Sequence, residues 1–132
     1  MSLDYTKTEN VSMHVPSAAA IANATVVVGY IGSQQNWGVL ALTVTVQVAA
    51  TSATQTVKLQ ASDSAGSFAS PVDLCEITLA STDAAGTVLF DSVDAASFDL
   101  TSGHLLRVVH IATATDASAK YRADVTVTQR HC

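Results

Sequence analysis

The chain has 132 residues, enough for one domain whose core needs neither a metal nor a disulfide framework. Its apolar fraction is 48% and its charged fraction only 13%, a balance that suits a surface covered by neighbouring subunits. Net charge is −5, with six Lys and Arg scattered along the sequence, which argues against a basic footprint for nucleic acid.

Residues 1–16 read as an N-terminal arm or an edge strand. Val11, Met13 and Val15 alternate with Ser12 and His14 until Pro16 ends the run. The opening MSLDYTKTEN lacks a basic stretch followed by an apolar one, so no secretory leader is expected. Residues 17–132 read as the domain proper. The apolar run from Ser17 to Ile31 is broken by Asn23 and Thr25 and is too short and polar for a membrane span; no membrane partner is expected. Within it, Asn23 to Ile31 reads as a strand, with Ala24, Val26, Val28 and Tyr30 sharing one face and Thr25, Val27, Gly29 and Ile31 the other. Gly32 to Gly38 reads as a loop holding the single Trp37. That ring either folds back to cap the core, the commoner fate of a Trp, or stacks on a sugar or anchors in a partner.

Val39 to Ala61 carries the clearest strand signal. Leu40, Leu42, Val44, Val46 and Val48 alternate with Ala41, Thr43, Thr45 and Gln47, and Val57, Leu59 and Ala61 alternate with Thr56, Lys58 and Gln60. A period of two means one dry and one wet face, and β-branched side chains suit a pleated surface. The expectation is a hairpin of two long strands joined by Thr51 to Thr54. Ser62 to Ser67 reads as a turn, followed by a strand over Asp73 to Ala80 with Cys75, Ile77 and Leu79 on one side and Leu74, Glu76 and Thr78 on the other. Ser81 to Gly86 repeats the chemistry of the first turn. Thr87 to Ser92 reads as a short strand with Val88 and Phe90 inward.

Asp91, Asp94 and Asp99 surround the next loop. They lack the D-x-D-x-D-G order of a calcium loop and read as solvated turn carboxylates. In the strand His104 to Ala112, His104 and His110 lie six residues apart, about 20 Å at ~3.3 Å per residue, too far to share a metal. The last strand, Ala119 to Gln129, puts Tyr121, Ala123, Val125 and Val127 on one face and Lys120, Arg122, Asp124, Thr126 and Thr128 on the other. Cys75 and Cys132 are too few for a framework and are expected as a buried thiol and a tail thiol rather than a bridge.

The pattern is all-β: about seven or eight antiparallel strands in a single β-sandwich, of which the jelly roll is one form, with an N-terminal arm. No G-x-S-x-G elbow, Cys-His signature, P-loop or G-x-G-x-x-G is present. The chain is expected to be no enzyme and to need no cofactor or metal.

Three segments, VKLQASDSAGSFASPVDL, EITLASTDAAGTVLFD and HLLRVVHIATATDASAKYRADVTVTQR, resemble small virion proteins of tailed phages of the head decoration or cement type. The resemblance runs from about Thr43 to Arg130 and is one of pattern rather than of an invariant motif. It implies a β-sandwich that binds the outside of an assembled capsid and strengthens it. It also implies a virion location after synthesis in the host cytoplasm, with the major capsid protein and further copies of the chain as partners in a homo-oligomer. Candidate contact residues on this reading are Tyr5, Val11, Met13 and Val15 of the arm and Trp37 of its loop. The alternative is a carbohydrate- or host-binding module on a tail or fibre, with Trp37, Tyr30 and Tyr121 as stacking residues, although only 5% of the chain is aromatic. A bacterial surface or pilus-like subunit is a third expectation, weakened by the missing leader.

Overall fold

The structure, a computed structural model, describes residues 5–15, 25–32, 37–49, 54–80, 83–94, 98, 100–101, 103–112 and 120–131. Among these are eight strands: β1 (Tyr5–Val15), β2 (Thr25–Ile31), β3 (Trp37–Val48), β4 (Gln55–Ala61), β5 (Val72–Leu79), β6 (Val88–Asp94), β7 (Leu106–Ala112) and β8 (Lys120–His131). They form two four-stranded sheets, ordered β1-β8-β3-β6 and β2-β7-β4-β5. Every pairing is antiparallel. Each strand lies beside its counterpart from the other end of the chain: β1 with β8, β2 with β7, β3 with β6, β4 with β5. The neighbours β8·β3 and β7·β4 then complete each sheet. This is a hairpin rolled into a two-sheet sandwich, the jelly roll.

The core comes from the inward faces of both sheets. Leu40, Leu42, Val44 and Val46 of β3 meet Val57 and Leu59 of β4, Cys75, Ile77 and Leu79 of β5, Leu106 and Val108 of β7, and Tyr121, Ala123, Val125 and Val127 of β8. Burying each of the larger aliphatic side chains contributes roughly 1.5–3 kcal/mol.

The expected Val39–Ala61 hairpin is corrected. β3 and β4 lie in opposite sheets. Alternation shows that each strand has one dry face but not which strand is its neighbour; two dry faces are satisfied equally well by facing each other across a core. The hairpin within a sheet is β4–β5, around the Asp63 turn. Both turns with shared chemistry use their Asp as an acceptor for backbone N–H groups, Asp63 from Ala65 and Ser67 after it and Asp83 from Ala80 before it. Gly66 and Gly86, each three residues after its Asp, take positive φ angles of 84° and 92°, where a Cβ would be strained.

Three further expectations change. Val88 and Phe90 point outward, 58% and 66% exposed, while Leu89 and Val93 pack on the core; the short alternating run fixed the period of β6 but not its phase. In β5, Leu74 and Cys75 are both buried, because Leu74 is the extra residue of a bulge between Leu59↔Cys75 and Gln60↔Asp73. In β2, Val28 is the extra residue of a bulge against β7. The bulge reverses the alternation, so Val28 packs on the core, Tyr30 is exposed and Ile31 is buried.

Candidate functional site

The strands leave two outer faces, and these differ in chemistry. On β1-β8-β3-β6, register sets Thr43 between Phe90 and Asp124, and Thr45 between Val88 and Arg122. Among the side chains described on this face, charge is confined to β8: Lys120 at its start and the ion pair of Arg122 with Asp124 at 3.2 Å. Phe90, Val88 and Val39 are exposed, and Ala41 is half-buried beside them.

On β2-β7-β4-β5, one row of directly opposed residues runs across all four strands: Tyr30, Arg107, Gln60, Asp73. Arg107 Nε–H donates to Gln60 Oε1 at 2.9 Å, and Gln60 Nε2 donates to Asp73 Oδ1 at 2.8 Å. Lys58 Nζ donates to Asp73 Oδ2 at 3.0 Å and lies 3.9 Å from Glu76. Burial opposes ionisation of Asp73, but the hydrogen bonds from Gln60 and Lys58 outweigh it and hold its pKa below the ordinary carboxylate value. The Asp73 hydrogen bond raises the pKa of Lys58 against the effect of burial, with the charges of Asp73 and Glu76 adding to it.

Phe68 reaches this row from the β4–β5 turn. Its ring lies under the Arg107 guanidinium, 4.5 Å from ring centroid to Cζ, and 5.9 Å from the Tyr30 ring at 58°. The turn is held firmly. Asp63 Oδ1 accepts from Ala65 N and Ser67 N. Ser62 N–H donates to the Leu105 carbonyl, and Leu105 N–H donates to Ser62 Oγ. Gly103 passes so close that a Cβ there would stand 2.0 Å from the Ser64 carbonyl oxygen.

Of the residues named from the sequence, Trp37, Tyr30 and Tyr121 do not converge, and the side chains of Tyr5, Val11, Met13 and Val15 lie outside the described set. Trp37 is the first residue of β3 rather than part of the preceding loop; its half-buried ring packs on the core. Its Nε1–H donates to the Thr101 carbonyl at 2.8 Å, the folded-back arrangement. Tyr121 is buried, its ring edge against His110, so it cannot stack on a sugar; of the three proposed stacking residues Tyr30 alone presents an open ring. Tyr5, Val11, Met13 and Val15 lie on β1 opposite His131, Val125, Ala123 and Tyr121 of β8. Sequence reasoning did not single out Arg107, Gln60, Asp73 or Phe68, and it read the exposed Val88 and Phe90 as inward. Phe68 was the aromatic in an otherwise Ser-, Ala- and Gly-rich turn, and Arg107 was the charge interrupting HLLRVVHIA; each was a visible signal.

No nucleophile with a base is assembled among the described residues. Cys75 is a free buried thiol whose pKa is pushed up to about 12, chiefly by burial and further by the charge of Asp91; Cys132, expected as a tail thiol, lies outside the described residues. Asp91 is a strand residue, not a loop carboxylate. Its Oδ2 accepts the Glu76 N–H of β5 at 2.9 Å, which ties the edges of the two sheets together. The side chains of Asp94 and Asp99 lie outside the described set. His104 Nδ1 accepts from the Thr101 N–H, while His110 is buried and bonded to Gln55 of β4. Among the described residues no group of three His, Cys, Asp or Glu could hold a metal ion, and no helix is long and apolar enough to cross a membrane.

No family model matches the chain, and no curated protein does. It is similar in structure to a chain in the capsid of Ralstonia phage GP4, at 14% identity over 96% of this chain and 86% of that one, with a TM-score of 0.56. It is also similar to the Bacillus endospore appendages described as a novel family of disulfide-linked pili, at 11% identity over 99% and 93%, TM-score 0.53. The likeness is one of fold. It extends over nearly the whole chain and joins the jelly roll seen here to a β-fold found in a phage capsid.

Proposed function

We propose that this chain is a structural virion protein that docks on the major capsid protein at the outside of a phage head and strengthens the shell, together with further copies of itself. The observation that carries this reading is the outer face of β1-β8-β3-β6. Phe90 and Val88 stand exposed there on a hydrogen-bonded sheet, beside uncharged Thr43, Thr45 and Ala41. A large aromatic on a rigid face loses little entropy when covered. Modest contacts of this kind gain strength through the number of copies on a shell. The role involves no catalysis, cofactor, nucleic acid or membrane. The capsid-like fold is consistent with it, and so is the low charge of the sequence.

The test is co-sedimentation of the purified protein with assembled capsids that lack it. The double variant Val88→Lys, Phe90→Asp is expected to bind at least ~10-fold more weakly, the order of effect for lost interface anchors. Because both side chains lie outside the core, the variant should keep its thermal midpoint. A folded variant that binds capsids as well as the parent removes this face from the proposal. Deleting residues 1–16 would be a poorer test of a bridging arm: β1 is paired with β8 along its whole length, so its loss would strip a strand from the sheet.

A further inference from the structure

The geometry points to a second binding site, on the opposite face of the sandwich. We infer that the Tyr30–Arg107–Gln60–Asp73 row binds a saccharide bearing a carboxylate, with a sugar ring on Tyr30 and the carboxylate held by Arg107. The inference does not depend on capsid docking, which uses the other sheet.

Charge on this face identifies the ligand. Lys58 is answered by Asp73 and Glu76, and Asp73 is answered by Lys58 and Gln60. Arg107 is the exception among the described residues. It offers five N–H donors; its Nε serves Gln60, and its terminal nitrogens have no acceptor among the described residues. Gln60 and the Phe68 ring fix the guanidinium plane, so its fork is already oriented for a two-point bond to an anion. Beside it stands Tyr30, 63% exposed, with its ring steadied by Phe68. An aromatic face open to water suits the apolar side of a sugar ring. Inorganic anions would engage Arg107 and leave Tyr30 unused; a neutral sugar would do the reverse. An acidic sugar uses both.

The site is built rather than incidental. The β2 bulge at Val28 turns Tyr30 outward. The Asp63 turn and its Ser62–Leu105 tethers hold Phe68 in place. From β2 to β5 the row spans three inter-strand steps, about 14 Å at ~4.8 Å each. The row is therefore long enough to lie beneath more than one sugar, with the acidic ring at the Tyr30–Arg107 end.

The experiment is an NMR titration of the full chain with a short glucuronate-containing oligosaccharide, with a neutral glucose oligosaccharide of equal length and with sodium sulfate. The expected result is saturable shifts at Tyr30, Phe68, Arg107 and Gln60 with the acidic sugar, and at least tenfold weaker binding of the other two. Tyr30→Ala and Arg107→Lys should each weaken acidic-sugar binding tenfold or more, while the Val88→Lys, Phe90→Asp variant leaves it unchanged. If Arg107→Lys fails to fold, Tyr30→Ala decides, since its side chain lies outside the core. Absence of saturable shifts, equal binding of the neutral sugar, equal binding of sulfate, or full binding by folded Tyr30→Ala would each overturn the inference.

Discussion

The outer face of β1-β8-β3-β6 carries Phe90 and Val88 among threonines, with its charge gathered on β8. The outer face of β2-β7-β4-β5 carries a hydrogen-bonded row of Arg, Gln, Asp and Lys closed at one end by two aromatic rings. Both stand on the same core, one sheet apart. The first is suited to area: any complementary apolar surface can cover it, and repetition multiplies a weak contact. The second is suited to direction, because its donors and acceptors are already oriented and much of the ordering cost of recognition is met in folding. A single sandwich can therefore be fixed to a shell by one side and present a selective surface on the other.

The largest way to break this comparison within one face is Gly103→Ala. The new Cβ would meet the Ser64 carbonyl at 2.0 Å. The Cβ is rigidly placed and its neighbour is backbone, so the two segments must part, and a shift of the 62–71 turn carries Phe68 with it. We expect a loss of about 1–3 kcal/mol in unfolding free energy, as for other overpacked sites. Urea denaturation measures it. Acidic-sugar binding should fall sharply while capsid co-sedimentation is retained, because the turn does not touch Phe90 or Val88. Equal loss of both activities would mean that the faces are not independent.

The same contrast explains what the sequence made legible. The dry series Leu40–Val46, Val57–Ala61 and Tyr121–Val127 could be read directly, since burial on one face of a strand leaves a period of two. Sheet membership could not, because facing strands and paired strands share that period; hence the misplaced hairpin. Bulges were also hidden. One inserted residue in β2 exposed Tyr30, and another in β5 buried Leu74 beside Cys75, and nothing in the local composition marks either. The site on β2-β7-β4-β5 is a register event. Tyr30, Arg107, Gln60 and Asp73 come from four strands, and only the ladder shows that they form one row.

A change that loosens both faces at once sharpens the comparison from beneath. His110 is buried between the sheets, its Nε2 bonded to Gln55 Oε1 and its ring nearly perpendicular to that of Tyr121. Burial lowers its pKa in the folded protein. The unfolded chain then binds the proton more readily, so stability falls as pH drops below the ordinary value of about 6.5 and levels off below the folded value. The slope cannot exceed about 1.4 kcal/mol per pH unit for one proton. Denaturation from about pH 7 to about pH 5 should show the decline. The double variant His110→Leu, Gln55→Leu removes both polar partners together and should abolish this part of it at little cost near neutrality. An unchanged pH slope in the folded double variant would assign the decline to other groups.

The smallest effect tests whether the polar face acts through charge or through shape. Asp73→Asn keeps an oxygen for Gln60 but removes the charge opposite Lys58. The folded pKa of Asp73 is lowered, so its contribution is present above the unfolded value of about 3.9 and is lost as pH falls through the folded one. The side chains of Asp73 and Lys58 are 45% and 21% exposed, and water screens the pair. The expected loss at neutral pH is therefore under ~1 kcal/mol, vanishing in acid. The consequence for the face runs the other way. With Lys58 less fully answered, the row becomes more cationic, and the glucuronate oligosaccharide should bind up to a few-fold more tightly, with steeper salt dependence. Weaker binding by a folded Asp73→Asn protein would mean instead that the carboxylate itself receives a sugar hydroxyl, making Asp73 a direct contact rather than a brake on the charge of the row.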